Sequence, residues 1–551
     1  MKKYAYLFTA FSACALALAG CGDNTRTDTP SATAADTEKN HQSDGISFNL
    51  ANVHRDIKTL ASDEFGGRGP LSEGETLTTG YLAKAYQQAG LAPGAGESYL
   101  QQVPMAKLTP SQDMLLQLGD LQFVAGKDFT ARTKQIKPRI NLKDSELVFV
   151  GYGINAPEYQ WNDYAGVDVK GKTVVMLVND PGFATQDDKL FTGNAMTYYG
   201  RWTYKYEEAA RQGASAVFIV HETDAAGYPW GVVESSNTGS KFTLVDDNNN
   251  SEMLPVMGWL QLAATEQLFA GAGMDYQALK AKAKMRGFKA VPLALQANLT
   301  LNSKIEQAAS DNVVALLPGT ELADEYVVIS AHWDHLGIKQ TPKGPKIHNG
   351  AVDNASGTAA TLELARTLMA RSKVSPFKRS LLFVNFTAEE TGLIGSELFA
   401  AGGLYPSKQL VAVLNIDGMN PSDSVDYILQ YGQGMSEMEQ YLSEAAKAQG
   451  RKVKMDPRPQ NGLFFRSDHF SLAKEGVPGL LFMSLGDTDP EYISHKYHKE
   501  ADDYSPDWSL GGVEQDMALL QAIALKLANS DHWPKWLADS DFKKRRALDG
   551  R

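Results

Sequence analysis

From Asn312 onward the chain alternates between continuous apolar runs and helical stretches. That alternation limits the possible folds more than any other feature. "YVVISA" (326–331), "LLFVNF" (381–386), "LVAVLNI" (410–416) and "GLLFMS" (479–484) read as strands. Between and after them lie "SGTAATLELARTLMAR", a helix around 437–449 and an amphipathic helix over 513–529. Strands that are apolar on both faces and separated by helices predict an α/β architecture, a mostly parallel mixed sheet sandwiched by helices. In such sheets, sites gather beyond the carboxyl ends of the strands.

The residues that follow each strand are therefore the ones to read. His332, Trp333 and Asp334 follow the first strand, Glu389 and Glu390 the second, and Asp417 the third. Asp353 precedes a helix in "GAVDNASG", and Tyr497-His498 lies beyond the last strand. Each has an ordinary reading alone: a hydrogen-bonded histidine, a helix cap shared with Asn354 and Ser356, a turn aspartate, a solvated pair of glutamates. As a set they bring more negative charge to one sheet edge than can be buried uncompensated. A cationic occupant resolves this. The only cysteines are Cys14 and Cys21, both in the N-terminal region, so the ligands must be imidazoles and carboxylates. Zinc is the expected metal, with cobalt or manganese as substitutes. Asp353, Glu390, Asp417 and a hydroxide would balance two Zn²⁺ per subunit, whereas one would leave the site negative.

The order His-x-Asp, Asp-Asn-Ala-Ser-Gly, Glu-Glu-x-Gly-x-x-Gly-Ser, Asn-x-Asp-Gly and Tyr-His resembles the M28 family of di-zinc exopeptidases, from about Asn312 to Asp507. "LASDEFGGRG…LAKAYQQAGL" is similar to that family's N-terminal helices. The resemblance implies a zinc-dependent exopeptidase fold, with Asp353 bridging the metals. Glu390 and His498 would complete one metal site, and His332 and Asp417 the other. Asp334 would orient the His332 imidazole, and Glu389 would be the general base acting on a metal-activated water. The activity implied is aminopeptidase action on peptides. An M28-type carboxypeptidase or dipeptidase and a glutaminyl cyclase-like enzyme are the enzyme alternatives, and a binding protein on a degenerate peptidase scaffold is the non-enzyme one.

The segment "GYGINAPEYQWNDYAGVDVKGKTVVMLVNDPG" resembles a protease-associated (PA) domain, a β-rich module inserted in such peptidases. The expected divisions are 47–143 and 299–540 for the peptidase domain, 144–298 for the insertion and 541–551 for a solvated basic tail containing "KKRR". At the N-terminus, "MKKYAYLFTAFSACALALAGC" has two lysines, a short apolar run and small residues, the pattern of a secretory signal over 1–20. Its end resembles a lipobox, which implies lipid attachment at Cys21, a flexible tether over 21–46 and residence in the bacterial cell envelope at the outer membrane. The expected partners are peptides and, through the lipid, a membrane. A formal charge of −12 with no clear basic stripe argues against nucleic acid.

"SDH" (467–469) holds the letters of a catalytic triad, but three consecutive residues cannot converge on one proton path. It reads as a pocket wall or ion-pair element. Arg466, Tyr492 and Tyr497 could border the site. His335, His348, His469 and His495 read as ordinary histidines.

Overall fold

The computed structural model describes residues 46–485, 491–537 and 540–551. The signal, Cys21 and all but the last residue of the tether lie outside the described residues. Residues 46–551 form one compact unit.

The half that carries the site is built on a mostly parallel mixed sheet, as the apolar runs predict. Strand Leu322–His332 lies at its centre, parallel to Arg379–Phe386 on one side and to Leu410–Ile416 on the other. Gly479–Leu480 extends the sheet beyond Leu410–Ile416. The run over 479–484 does not stay in one sheet. After Leu481 the chain pairs instead as Phe482–Met483 with Tyr427–Gln430. Helices Leu50–Leu60, Glu73–Ala89, Gly357–Val374 and Gly511–Ala528 contribute to the main core, and Ile394–Ala401 and His469–Lys474 contribute to packing on the opposite face. Arg379–Phe386 and Leu410–Ile416 are buried along their whole lengths, which is why they show no polar alternation.

A 27-residue strand, Val291–Leu317, joins this half to the inserted half. Its C-terminal end pairs antiparallel with Arg379–Phe386, and its N-terminal part pairs antiparallel with Arg139–Phe149. From there, Thr173–Leu177, Ala216–His221 and Val256–Gln261 follow in parallel order. The insertion thus has one apolar core of its own on an α/β sheet, and a second that it shares with side chains of the peptidase half such as Leu429, Phe464 and Trp536. Residue 144, taken as a boundary above, falls within a strand, and Phe129–Arg132 also pairs into this sheet.

The "KKRR" segment is not a free tail. It lies in helix Asp541–Leu548, and Arg546 is buried, donating to the carbonyls of Ser407 and Leu410 at 2.9 and 2.8 Å. A run of basic letters hides this because one guanidinium reaches main-chain carbonyls just before and at the start of a strand.

Candidate metal centre

Strand register sets the first pair of ligands. Ala331 is opposite Ile416, so the next residues outward, His332 and Asp417, leave the sheet side by side. His332 Nε2 lies 3.2 Å from Asp417 Oδ1. Asp353 comes from the loop before helix Gly357–Val374 and divides its oxygens between two histidines. Oδ1 is 3.4 Å from His332 Nε2, and Oδ2 is 3.1 Å from His498 Nε2. Glu390 Oε2 lies 3.1 Å from the same His498 nitrogen. All five expected ligands therefore meet, with Asp353 in the middle. Two donors on one tetrahedral zinc stand about 3.3 Å apart, which is the spacing found here.

The loop that carries Asp353 is held by the rest of its motif. Asp502 accepts from the Val352 and Asp353 amides at 2.9 and 3.0 Å. Asn354 Oδ1 accepts from the amides of Gly357 and Gly418, and its Nδ2 donates to the Ile416 carbonyl. Ser356 Oγ accepts from the Met419 amide. One asparagine and one serine thus tie the Asp353 loop to the Asp417 loop, which accounts for "DNASG" beyond its aspartate.

Asp334 works differently from the expectation. Its carboxylate is 3.7 Å from His332 Nδ1, whereas its main-chain carbonyl lies 3.0 Å from that nitrogen. The backbone oxygen orients the imidazole. The buried carboxylate instead accepts from the amides of Glu389 and Glu390, at 3.0 and 3.4 Å. It holds the glutamate pair at the end of its strand.

Two residues were missed by the sequence reading. His335 is buried, and its Nδ1 lies 2.7 Å from Glu390 Oε1, leaving Oε2 for His498. A ring nitrogen of His335 also falls within 4.8 Å of carboxylate oxygens of Asp353 and Glu390, but the short bond to Glu390 makes it a support for that ligand. Its position three residues after His332 was the available signal. Arg68 is fully buried and donates to the carbonyls of Leu60, Trp333, Asn349 and Gly350 at 2.6–2.8 Å. It stitches the loops on either side of the centre together. Gly67 beside it has φ +66°, and a Cβ there would come within 2.3 Å of the His348 carbonyl, so this turn admits only glycine.

Ser467, Asp468 and His469 do not form a triad. Ser467 Oγ accepts from Asn415 Nδ2, and the His469 ring packs at 4.6 Å on Phe464. Asp468 has no ion pair among the described residues. Tyr497 stacks at 4.0 Å on His498, and the Tyr492 hydroxyl donates to Asp502.

The electrostatics test whether cations fit. Burial opposes charge on the His498 ring, yet Asp353 and Glu390 raise its pKa to about 10. Burial likewise opposes charge on His332, but Glu389, Asp353 and Asp417 drive its pKa well up. Burial and Asp353 disfavour ionised Glu390, yet the bonds from His335 and His498 bring it down to about 2. Three carboxylates thus draw protons onto two imidazoles, the buried His332 and the partly exposed His498. Divalent cations would answer the same demand for positive charge while releasing those protons. The residues present fit a pair of divalent metals.

Residues 312–520 match the profile of Peptidase family M28. "Aminopeptidase YwaD" of Bacillus subtilis is 27% identical over 210 residues, covering 38% of this chain and 42% of its own length. "Probable glutamate carboxypeptidase AMP1" of Arabidopsis thaliana is 27% identical over 323 residues, 54% of this chain and 41% of its own length. The chain thus spans less than half the length of either relative. Among solved structures, an aminopeptidase from Aneurinibacillus sp. strain AM-1 aligns at a TM-score of 0.49 and 22% identity, over 88% of this chain and 95% of that one.

Proposed function

We propose that this chain is a zinc-dependent exopeptidase of the M28 type, an aminopeptidase that removes N-terminal residues from peptides. One observation carries this reading: five side chains able to ligate a metal, from five separate segments, form a chain of contacts of 3.1–3.4 Å with Asp353 in its middle. His332, Asp353 and Asp417 would hold one ion, and Asp353, Glu390 and His498 the other. When bound, such a pair would acidify water and polarise the scissile carbonyl.

The remaining steps belong to the chain's own residues. Glu389 is adjacent to a ligand but is not itself needed as one, and Asp334 fixes its backbone. Burial, with Asp417, Asp468 and Glu390 nearby, drives its pKa well above the usual carboxylate range, against the opposing pull of His332. A carboxylate of raised basicity can take the proton of the attacking water and hold it until the leaving amine accepts it. Tyr497, stacked on His498, lies beside the same centre.

A panel of N-blocked, C-blocked and free dipeptides, assayed with and without a chelator, tests the reading. Cleavage only where the N-terminus is free, abolished by chelation and restored by zinc, is expected. Cleavage of N-blocked but not C-blocked substrates, or release of pyroglutamate, would contradict it.

The proposal also places the protein in the bacterial cell envelope, anchored by lipid at Cys21. The support is the lysine-led apolar run ending in Leu-Ala-Gly-Cys. Cys21→Ser should move the protein from the membrane to the soluble fraction, and an unchanged distribution would count against the anchor. The inserted segment is read as a PA-like module bordering the cleft.

A further inference from the structure

The rule that locates the metal centre applies equally to the second sheet of this protein. In the inserted segment, Arg139–Phe149, Thr173–Leu177, Ala216–His221 and Val256–Gln261 run parallel, so their carboxyl ends share one edge. A cavity of about 620 Å³ opens at that edge. Each strand supplies a lining residue at its end or just beyond it: Tyr152, Leu177, Glu222 and Leu262. Phe183 adds a second aromatic ring. No lining residue comes from the peptidase segment, and none is a metal ligand.

One face of helix Tyr276–Ala283 forms another wall. Gln277, Lys280, Ala281 and, at its C-cap, Lys284 line the cavity at the three- and four-residue spacing of neighbours on a helix surface. Tyr152, Leu177 and Val178 are buried, whereas the charged groups are partly or fully exposed, so the floor is apolar and the rim charged. At the rim, Lys280 Nζ pairs with Glu222 Oε1 at 2.5 Å. Lys284 and Asp224 also line it and enter no ion pair among the described residues. Helix Leu262–Gly271 begins at the cavity, and its N-cap Gln261 makes no side-chain capping bond, which leaves a start that favours an anion. An apolar floor under charges of both signs suits a molecule with a carboxylate, an ammonium and apolar side chains. A short peptide carries all three. Its carboxylate would meet Lys280, Lys284 and the helix start, and its ammonium Glu222 and Asp224.

Two walls of the cavity continue into contacts with the peptidase segment. Val178 and Phe183 belong to the stretch that reaches Asn194 and Met196, which donate to Gln460 Oε1 at 3.2 Å and to the Pro459 carbonyl at 3.0 Å. Asn179 Nδ2 ties that stretch to the carbonyl of Ala225, in the other wall, at 3.0 Å. Just past Ala225, a Cβ on Gly227 would lie 3.2 Å from Asn461 Oδ1. Both walls therefore end on residues 459–461. We propose that this cavity is an effector site for di- and tripeptides with free termini and apolar side chains, and that its occupancy changes the rate at the metal centre through residues 459–461. The binding half of the inference goes beyond the peptidase reading, and only the kinetic half rests on it.

The test is calorimetric titration of metal-loaded Glu389→Gln with the dipeptide leucyl-phenylalanine, which this variant should bind without turning over. Two binding events per chain are expected. Adding Ala281→Trp, which fills the cavity from an exposed helix position, should leave one. Adding Lys284→Gln instead should weaken that same event by roughly ten-fold, through loss of a charged hydrogen-bond donor. With Glu389 in place, initial rates plotted against peptide concentration should depart from a hyperbola, and Ala281→Trp should restore one. Binding that Ala281→Trp leaves unchanged would overturn the proposal, and so would hyperbolic rates in the wild type. A wild-type chain that hydrolyses nothing, with a single binding event that Ala281→Trp abolishes, would refute the peptidase and keep the binding site.

Discussion

Glu389→Gln should lower kcat by about a hundred- to ten-thousand-fold, the usual worth of a positioned general base, while the protein keeps its full metal content. The amide is isosteric, and the Glu389 backbone stays anchored because its amide still donates to Asp334. No ligand is touched: Glu390 keeps its bond from His335 and its approach to His498. The loss should appear in kcat with little change in KM, because the missing group moves a proton and does not bind substrate. Turnover within a few-fold of wild type would remove Glu389 from the chemistry. Loss of metal along with activity would show that Glu389 is a ligand.

Asp353→Asn should have the opposite signature. Its two oxygens face two histidines, so a single replacement weakens both metal positions at once. Asparagine retains one acceptor oxygen but loses the negative charge, and its amide nitrogen cannot coordinate. Losing a supporting partner of a ligand costs roughly 10–100-fold in metal affinity, and losing the shared ligand itself should cost more. The purified variant should carry little metal and show no hydrolysis at ordinary zinc concentrations. Retention of the wild-type metal content, read by elemental analysis, would contradict the bridging role. The pair of variants thus separates chemistry from assembly.

Much of the half that carries the site is legible in the sequence because its signals are periodic and local. Continuous apolar runs mark strands buried on both faces, and the side chains just beyond them sit at one sheet edge by topology alone. His332, Asp417 and Glu390 come from such positions, and they do meet. Direction is harder to read than position. Asp334 lies close enough in sequence to orient His332, but the strand ends at His332 and the carboxylate turns towards the Glu389 and Glu390 amides. His335 looks ordinary because its partner is 55 residues away. Arg68 acts on main-chain carbonyls, which leave no trace in residue identity. The 27-residue strand that links the two halves was equally hidden, since its exposed stretches lack an apolar run. The docked C-terminal helix shows the same limit, because a basic run reveals charge but not the carbonyls that receive it.

The metal content of the full-length wild-type protein tests the account most directly. Elemental analysis after purification without chelators should find two divalent transition-metal ions per chain, with hydrolysis lost as they are stripped and regained as zinc returns. Full activity in protein holding no such metal would contradict it.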